Sequence, residues 1–155
     1  LLQSMLLAFF IISIIMSLLF KNFKMVLISL IPNIIPLIIA GGIMGYFNIP
    51  LKPSSALVFS IVFGISVDYS IHFLAKFKNE LLSKSLEDSI INTINQTGRS
   101  MIFTSFILFF GFIIFAFSNF GGTIVLGVLT SIILFVAMIT NLTLLPSIIL
   151  YFYKK

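Results

Sequence analysis

The chain has 155 residues, of which 60% are hydrophobic and 8% are charged, and its formal net charge is +5. This composition leaves too few charged side chains for a water-facing surface, so it excludes an ordinary soluble domain. The basic residues are scattered rather than clustered, which argues against nucleic-acid binding, and the absence of cysteine excludes disulfides and thiolate metal sites.

Five apolar stretches are long enough to cross a bilayer, which takes about 20 helical residues. The first covers about 1–20. It has neither an initiating methionine nor the flanks of a signal peptide, so we expect a fragment whose first helix continues from missing sequence. The second covers about 25–47 and contains Pro32, Asn33 and Pro36. Prolines at this depth predict a bent helix that is packed against protein.

The third predicted span covers about 55–77 and follows a short loop with two prolines. The only clearly polar segment comes next. Its apolar residues recur at helical spacing, Ser85 and Asp88 form a potential capping box, and Gly98 is a potential stop signal. We therefore predict a short amphipathic helix over about 85–97 that lies in the membrane interface.

Two more spans, about 100–118 and 123–153, are joined by a tight turn. The predicted fold is an all-α membrane protein, with one transmembrane domain over 1–155, five transmembrane helices and a short cytoplasmic interfacial helix. Five spans place eight of the nine basic residues on one side and only Lys52 on the other. The positive-inside rule then predicts a cytoplasmic C-terminus.

Asp68 lies near the middle of the third span, where an ionised carboxylate costs several kcal/mol. Such a group can take up and release a proton when nearby donors offset the cost of burying its charge. The alternative is an Asp that stays protonated and bonds a neighbouring helix. Ser60, Gly64 and Asp68 follow one line along the helix, which predicts that the carboxylate faces a packed interface.

Four further side chains can assist Asp68. Tyr69 is a candidate hydrogen-bond donor. His72 lies one turn further on the same face, and it is either the inner exit of a proton relay or a residue whose ring reaches the headgroups. Thr104 and Ser105 have hydroxyls that reach Asp68 if the third and fourth spans are adjacent. Otherwise, they bond carbonyls of their own helix.

The sequence does not predict an enzyme. It has one histidine, no cysteine, no pair of intramembrane carboxylates, no phosphate-binding loop and no zinc-ligand spacing. We therefore expect no catalytic residues, no metal and no cofactor.

The motif Gly-Ile-Ser-Val-Asp-Tyr-Ser-Ile-His at 64–72, with Glu80 downstream, resembles the signature helix of the RND (resistance-nodulation-division) superfamily, especially its MMPL branch. The resemblance extends over the whole chain. Its other elements are Ile-Pro-Asn-Ile-Ile-Pro at 31–36, the glycines at 41–45, Thr-Gly-Arg-Ser at 97–100, Thr-Ser at 104–105, Gly-Phe at 111–112 and Leu-Leu-Pro at 144–146.

This resemblance implies that the chain forms the last five helices of one half of an exporter. Such an exporter would be driven by the proton motive force and would move lipid or other hydrophobic substrates. Asp68 would be the protonated group and Tyr69 its partner, with Gly64, Thr104 and Ser105 in support. The implied partners are protons, membrane lipid, the hydrophobic substrate, the second transmembrane half and the extracytoplasmic porter domains. The implied location is the bacterial cytoplasmic membrane.

Two related architectures remain alternatives. Sterol-sensing domains resemble the same five-helix block, which would make the protein a lipid-binding or sensing domain. Protein-export auxiliaries of the same superfamily share Gly-x-x-Val-Asp, but Ala-Asn usually follows the Asp there, whereas Tyr69 and Ser70 follow it here. That difference favours the MMPL branch.

Overall fold

A computed structural model describes residues 10–12, 14–18, 20 and 23–153, and the described residues are helical apart from short connections. The elements are α1 (Phe23–Tyr46), α2 (Pro53–Glu80), α3 (Leu86–Thr93), a π-helical turn (Ile94–Gly98), α4 (Arg99–Ile113), a 3₁₀ turn (Ile114–Phe117) and α5 (Gly121–Tyr153). Among the described residues, four helical runs are long and apolar enough to cross a membrane. The predicted all-α membrane fold is confirmed. Most of the first predicted span lies outside the described residues.

Helix α1 continues through both of its prolines. Proline has no backbone N–H, so each proline leaves the carbonyl four residues earlier without its usual helical donor. Pro32 and Pro36 are both buried, and α1 packs against α2 and α5. As predicted, this part of the second span lies against protein.

The amphipathic segment begins as predicted but does not end as predicted. Ser85 caps α3, because its hydroxyl accepts from the Asp88 N–H at 3.2 Å and donates to the Asp88 carboxylate at 2.6 Å. Gly98, however, does not stop the helix, which continues through the π-helical turn into α4. A Cβ on Gly98 would lie 3.1 Å from a methyl of Leu142, so the glycine permits close packing on α5 rather than ending a helix.

Helix α5 lies at the centre of the bundle and packs against α1, α2 and α4. Its close approach to the end of α4 depends on Gly127, where a Cβ would lie 2.5 Å from Phe115 Cβ and 2.6 Å from the Phe112 carbonyl. Because α2 and α4 both pack on α5 but make few direct contacts with each other, a cleft remains between them.

Candidate functional site

The cleft between α2 and α4 has a volume of about 450 Å³ and is open on one side. It starts at the middle of α2 and extends towards the end of that helix near Glu80. Its lining is polar for a membrane-spanning region, and it consists of Asp68, Tyr69, His72, Ala75, Lys76, Asn79, Thr97, Ser100, Met101 and Thr104. Four of the predicted site residues, Asp68, Tyr69, His72 and Thr104, therefore line the same space.

Asp68 and His72 form an acid–base pair on this cleft. Asp68 Oδ1 lies 3.4 Å from His72 Nε2, and the four-residue spacing on α2 brings the two side chains onto one face. Their side chains are 63% and 69% exposed within the described structure. Both side chains line the cleft, where the Asp68 carboxylate and a ring nitrogen of His72 face each other.

The predicted packed interface around Asp68 is not formed by the described helices. Ser60, Gly64 and Asp68 do lie on one line, but all three are exposed, and nothing lies within 4 Å of a Cβ built on Gly64. The small residues at 60 and 64 therefore do not bring another described helix against this face of α2.

Tyr69 connects α2 to α4 across the closed side of the cleft. It is buried, and its hydroxyl lies 2.6 Å from the hydroxyl of Ser105, so the two share a hydrogen bond. The adjacency of the third and fourth spans is thereby established. The Ser105 hydroxyl bonds Tyr69 rather than Asp68, and Thr104 lines the same cleft as Asp68.

A buried polar network on the other side of α2 was not predicted as part of the site. It contains Asn33 of α1, Ser66 and Ser70 of α2 and Asn141 of α5, each at most 1% exposed. Asn33 Oδ1 accepts from Ser66 at 2.6 Å, Asn141 Oδ1 accepts from Ser70 at 2.7 Å, and Asn141 Nδ2 donates to Ser66 at 3.1 Å.

The available signal for this network was the presence of amides within apolar spans and the four-residue spacing of the two serines. Amides and hydroxyls in a membrane protein are expected to find partners on other helices. The sequence alone could not show that Asn33 and Asn141, which are 108 positions apart, meet at the same two serines.

The mouth of the cleft carries a compact ion-pair group. Glu80, whose side chain is 10% exposed, receives Lys76 Nζ at 2.7 Å and Lys84 Nζ at 2.6 Å. These contacts join the end of α2 to the turn that leads into α3. Across the ranges that the structure describes, no three His, Asp or Glu side chains are grouped so that they could hold a metal ion.

Comparison with protein families identifies the chain's relatives. The model of the MMPL family matches residues 2–154, which is nearly the whole sequence. The chain belongs to the MMPL family. This membership agrees with the family that the sequence motifs had suggested and with the membrane-spanning helices of the fold.

The chain is also similar to MJ1562 of Methanocaldococcus jannaschii, which is named as a membrane protein, with 29% identity over 128 residues. The match covers 79% of this MMPL chain and 32% of the relative, so the chain spans about a third of the length of the curated relative that it matches. No solved structure is a significant match to the chain.

Proposed function

We propose that this MMPL domain is the proton-conducting transmembrane half of an exporter that is driven by the proton motive force and moves lipid or another hydrophobic molecule. The observation that carries the proposal is Asp68, an ionisable group halfway along a membrane-spanning helix that opens onto a polar cleft. Intramembrane carboxylates that line water-accessible cavities commonly mark proton pathways.

The course of the cleft supports a path along which the proton would leave Asp68. From Asp68, a proton can pass to His72 at 3.4 Å and then follow the cleft to Lys76 and Asn79 at its mouth. Lys76 is paired with Glu80, which reduces the positive charge that would otherwise repel a proton there. The distribution of basic residues makes this end cytoplasmic, with the C-terminus on the same side.

The exposure of Asp68 and His72 supports the need for a partner. Side chains that are 63% and 69% exposed at this depth would be costly in lipid, because an ionised group loses its hydration there. We propose that the second transmembrane half covers this face and that extracytoplasmic porter domains handle the cargo. A bacterial cytoplasmic membrane is the proposed location.

The available driving force is sufficient for such coupling. A membrane potential supplies about 2.3 kcal/mol per charge per 100 mV, and a pH gradient adds to this. Two conformations of a transport domain that differ by a few kcal/mol can be exchanged by that amount. Tyr69 and Ser105 link the proton-bearing helix α2 to α4, so a change at Asp68 has a direct contact through which to move a second helix.

The deciding experiment uses the intact parent protein in phosphatidylethanolamine–phosphatidylglycerol vesicles that contain a fluorescent phospholipid. Proton uptake and lipid translocation are measured after a membrane potential and a pH gradient are imposed. Asp68→Asn should abolish both activities. Asp88→Asn, the matched control, changes the other aspartate of the chain. Asp88 lies in the exposed first turn of α3, where the amide oxygen of Asn can still accept from the Ser85 hydroxyl, and this variant should retain both activities.

Retention of both activities by Asp68→Asn would contradict the proposal. It would make the carboxylate a structural hydrogen-bonding group and would favour the lipid-sensing alternative, because a sensor does not need to move a proton. Proton uptake without movement of the phospholipid would retain the proton pathway and reject phospholipid as the cargo.

A further inference from the structure

The hydroxyl of Ser70 has two acceptors but only one hydrogen. Its oxygen lies 2.7 Å from Asn141 Oδ1 on α5 and 3.1 Å from Asn33 Oδ1 on α1. A hydroxyl donates one such bond at a time, so Ser70 bonds either α5 or α1. Ser66 has no equivalent choice, because its hydroxyl donates to Asn33 at 2.6 Å and accepts from Asn141 at 3.1 Å.

These serines lie on the opposite side of α2 from Asp68. Each is two residues from Asp68, which corresponds to a turn of about 200° around a helix with about 100° per residue. Their burial agrees with this geometry, since both serines are fully buried while Asp68 is exposed on the cleft. A rotation of α2 that moves Asp68 across the cleft must therefore move Ser66 and Ser70 against Asn33 and Asn141.

We propose that Ser66 and Ser70 are positioning residues for Asp68. Their bonds to Asn33 and Asn141 fix the rotation of α2, and Ser70 changes its acceptor when α2 turns. Both acceptors are amide oxygens on neighbouring helices, so the exchange leaves Ser70 bonded in either position and avoids an unpaired hydroxyl in an apolar interior.

This inference rests on the proposed proton role of Asp68, but the restraint on α2 is a separate physical claim. Two rotational positions of similar free energy can be biased by a single proton on the same helix, provided that the proton favours one position. The network would then set where Asp68 and His72, which turn together on α2, lie relative to α4, and so the pH at which Asp68 is loaded. Serine and asparagine do not titrate in this range, so their effect acts through geometry.

The test uses the intact parent protein in proteoliposomes, with a reporter cysteine in place of Ala75. Ala75 is exposed, lines the cleft and lies on the same face of α2 as Asp68. This chain has no cysteine of its own, and any cysteine elsewhere in the parent is replaced. The rate of labelling by a water-soluble maleimide then reports the position of that face.

The test variant is Ser70→Ala, and the matched control is Ser29→Ala. Ser29 is also fully buried, but its hydroxyl bonds the Val26 carbonyl of its own helix at 2.7 Å. Ser66→Ala is a second test variant, used alongside Ser70→Ala and decisive if the latter does not fold. Thermal unfolding, followed by fluorescence, checks that the variants have similar stability.

We expect Ser70→Ala to change the labelling rate at Ala75→Cys at least about threefold through a shift in the population of two positions. The pH of half-maximal proton uptake should move by at least about half a unit, a threefold change in proton affinity. Ser29→Ala should alter neither. Labelling rates and pH profiles in both test variants that match those of Ser29→Ala would overturn the proposal.

The two proposals can fail separately. If Asp68→Asn retains proton uptake while Ser70→Ala changes the labelling rate, the proton role is rejected and the restraint on α2 is retained. If Asp68→Asn abolishes uptake while the network variants behave like Ser29→Ala, the proton role stands and the positioning role is rejected.

Discussion

The polar residues on the two sides of α2 differ in their burial and in their hydrogen-bond partners. On the cleft side, Asp68 and His72 are mostly exposed, and among the described side chains each has only the other as an ion-pair partner within 4 Å, which is ionic only if His72 is protonated. On the other side, Ser66 and Ser70 are fully buried and bonded to α1 and α5. Polar residues in a membrane helix therefore do not all indicate the same role. One side bonds α2 to its neighbouring helices, and the other faces the open cleft.

The largest expected difference between the two sides is in proton uptake. His72→Gln should lower the initial rate of uptake by about a hundredfold, the lower end of what a positioned acid–base group contributes. Stability should be nearly unchanged, because the His72 side chain is 69% exposed. Stopped-flow measurement with a pH dye inside proteoliposomes tests this. An unchanged rate would favour the reading in which the ring only reaches the headgroups.

The largest expected loss of stability is on the buried side. Asn141→Leu removes three hydrogen bonds of the Asn141 amide, to Ser66, to Ser70 and to the Ala137 carbonyl, and at about 1 kcal/mol each we expect a loss of about 3 kcal/mol. Chemical unfolding of the reconstituted protein measures it. Thr143→Val is the control, because that exposed hydroxyl bonds only Ile139 of its own helix. Equal losses in the two variants would mean that the network contributes no stability.

Substitutions at two glycines, one buried against α4 and one on the open side of α2, compare the two kinds of surroundings through packing alone. Gly127→Ala should cost about 2 kcal/mol, because the added methyl would meet the Phe112 carbonyl at 2.6 Å and a backbone must shift. Gly64→Ala should not destabilise the protein, since it has open space in this block and alanine is the better helix former. Unfolding midpoints of the two variants test this. A larger loss at Gly64 would indicate that a partner packs tightly there in the parent.

The smallest expected effect is at the Tyr69–Ser105 bond, which closes the inner side of the cleft. Hydrogen bonds between membrane helices contribute about 1 kcal/mol. A double-mutant cycle of Tyr69→Phe and Ser105→Ala should therefore give a coupling of about that size in the free energy of unfolding. A coupling of zero would mean that the two hydroxyls do not support one another.

Much of the fold could be predicted because lipid imposes simple requirements. A bilayer fixes the length of a helix, so uninterrupted apolar runs identified α1, α2, α4 and α5 to within a few residues. Predicting where helices begin and end from capping residues and glycines was less reliable. Ser85 was correctly identified as a cap, whereas Gly98 was misread as a stop, because a glycine at a helix crossing and a glycine at a helix end are the same letter in a sequence.

The candidate site was predictable in its residues but not in its surroundings. The rarity of aspartate at membrane depth singled out Asp68, and helical spacing connected it with His72. Which hydroxyl belonged to which partner depended on the rotation of α4 against α2. That rotation places Ser105 at Tyr69 and leaves Thr104 on the cleft.

The sequence by itself determined the membrane-spanning helices and the presence of one ionisable pair within them, because the cost of burying charge in lipid acts on each helix separately. Only the tertiary structure decided that one side of α2 is hydrogen-bonded to other helices while the side with Asp68 faces an open cleft. Contacts among Asn33, Asn141 and the two serines depend on how three helices pack. Helix packing is set jointly by residues far apart in the chain, so no local pattern could have specified it.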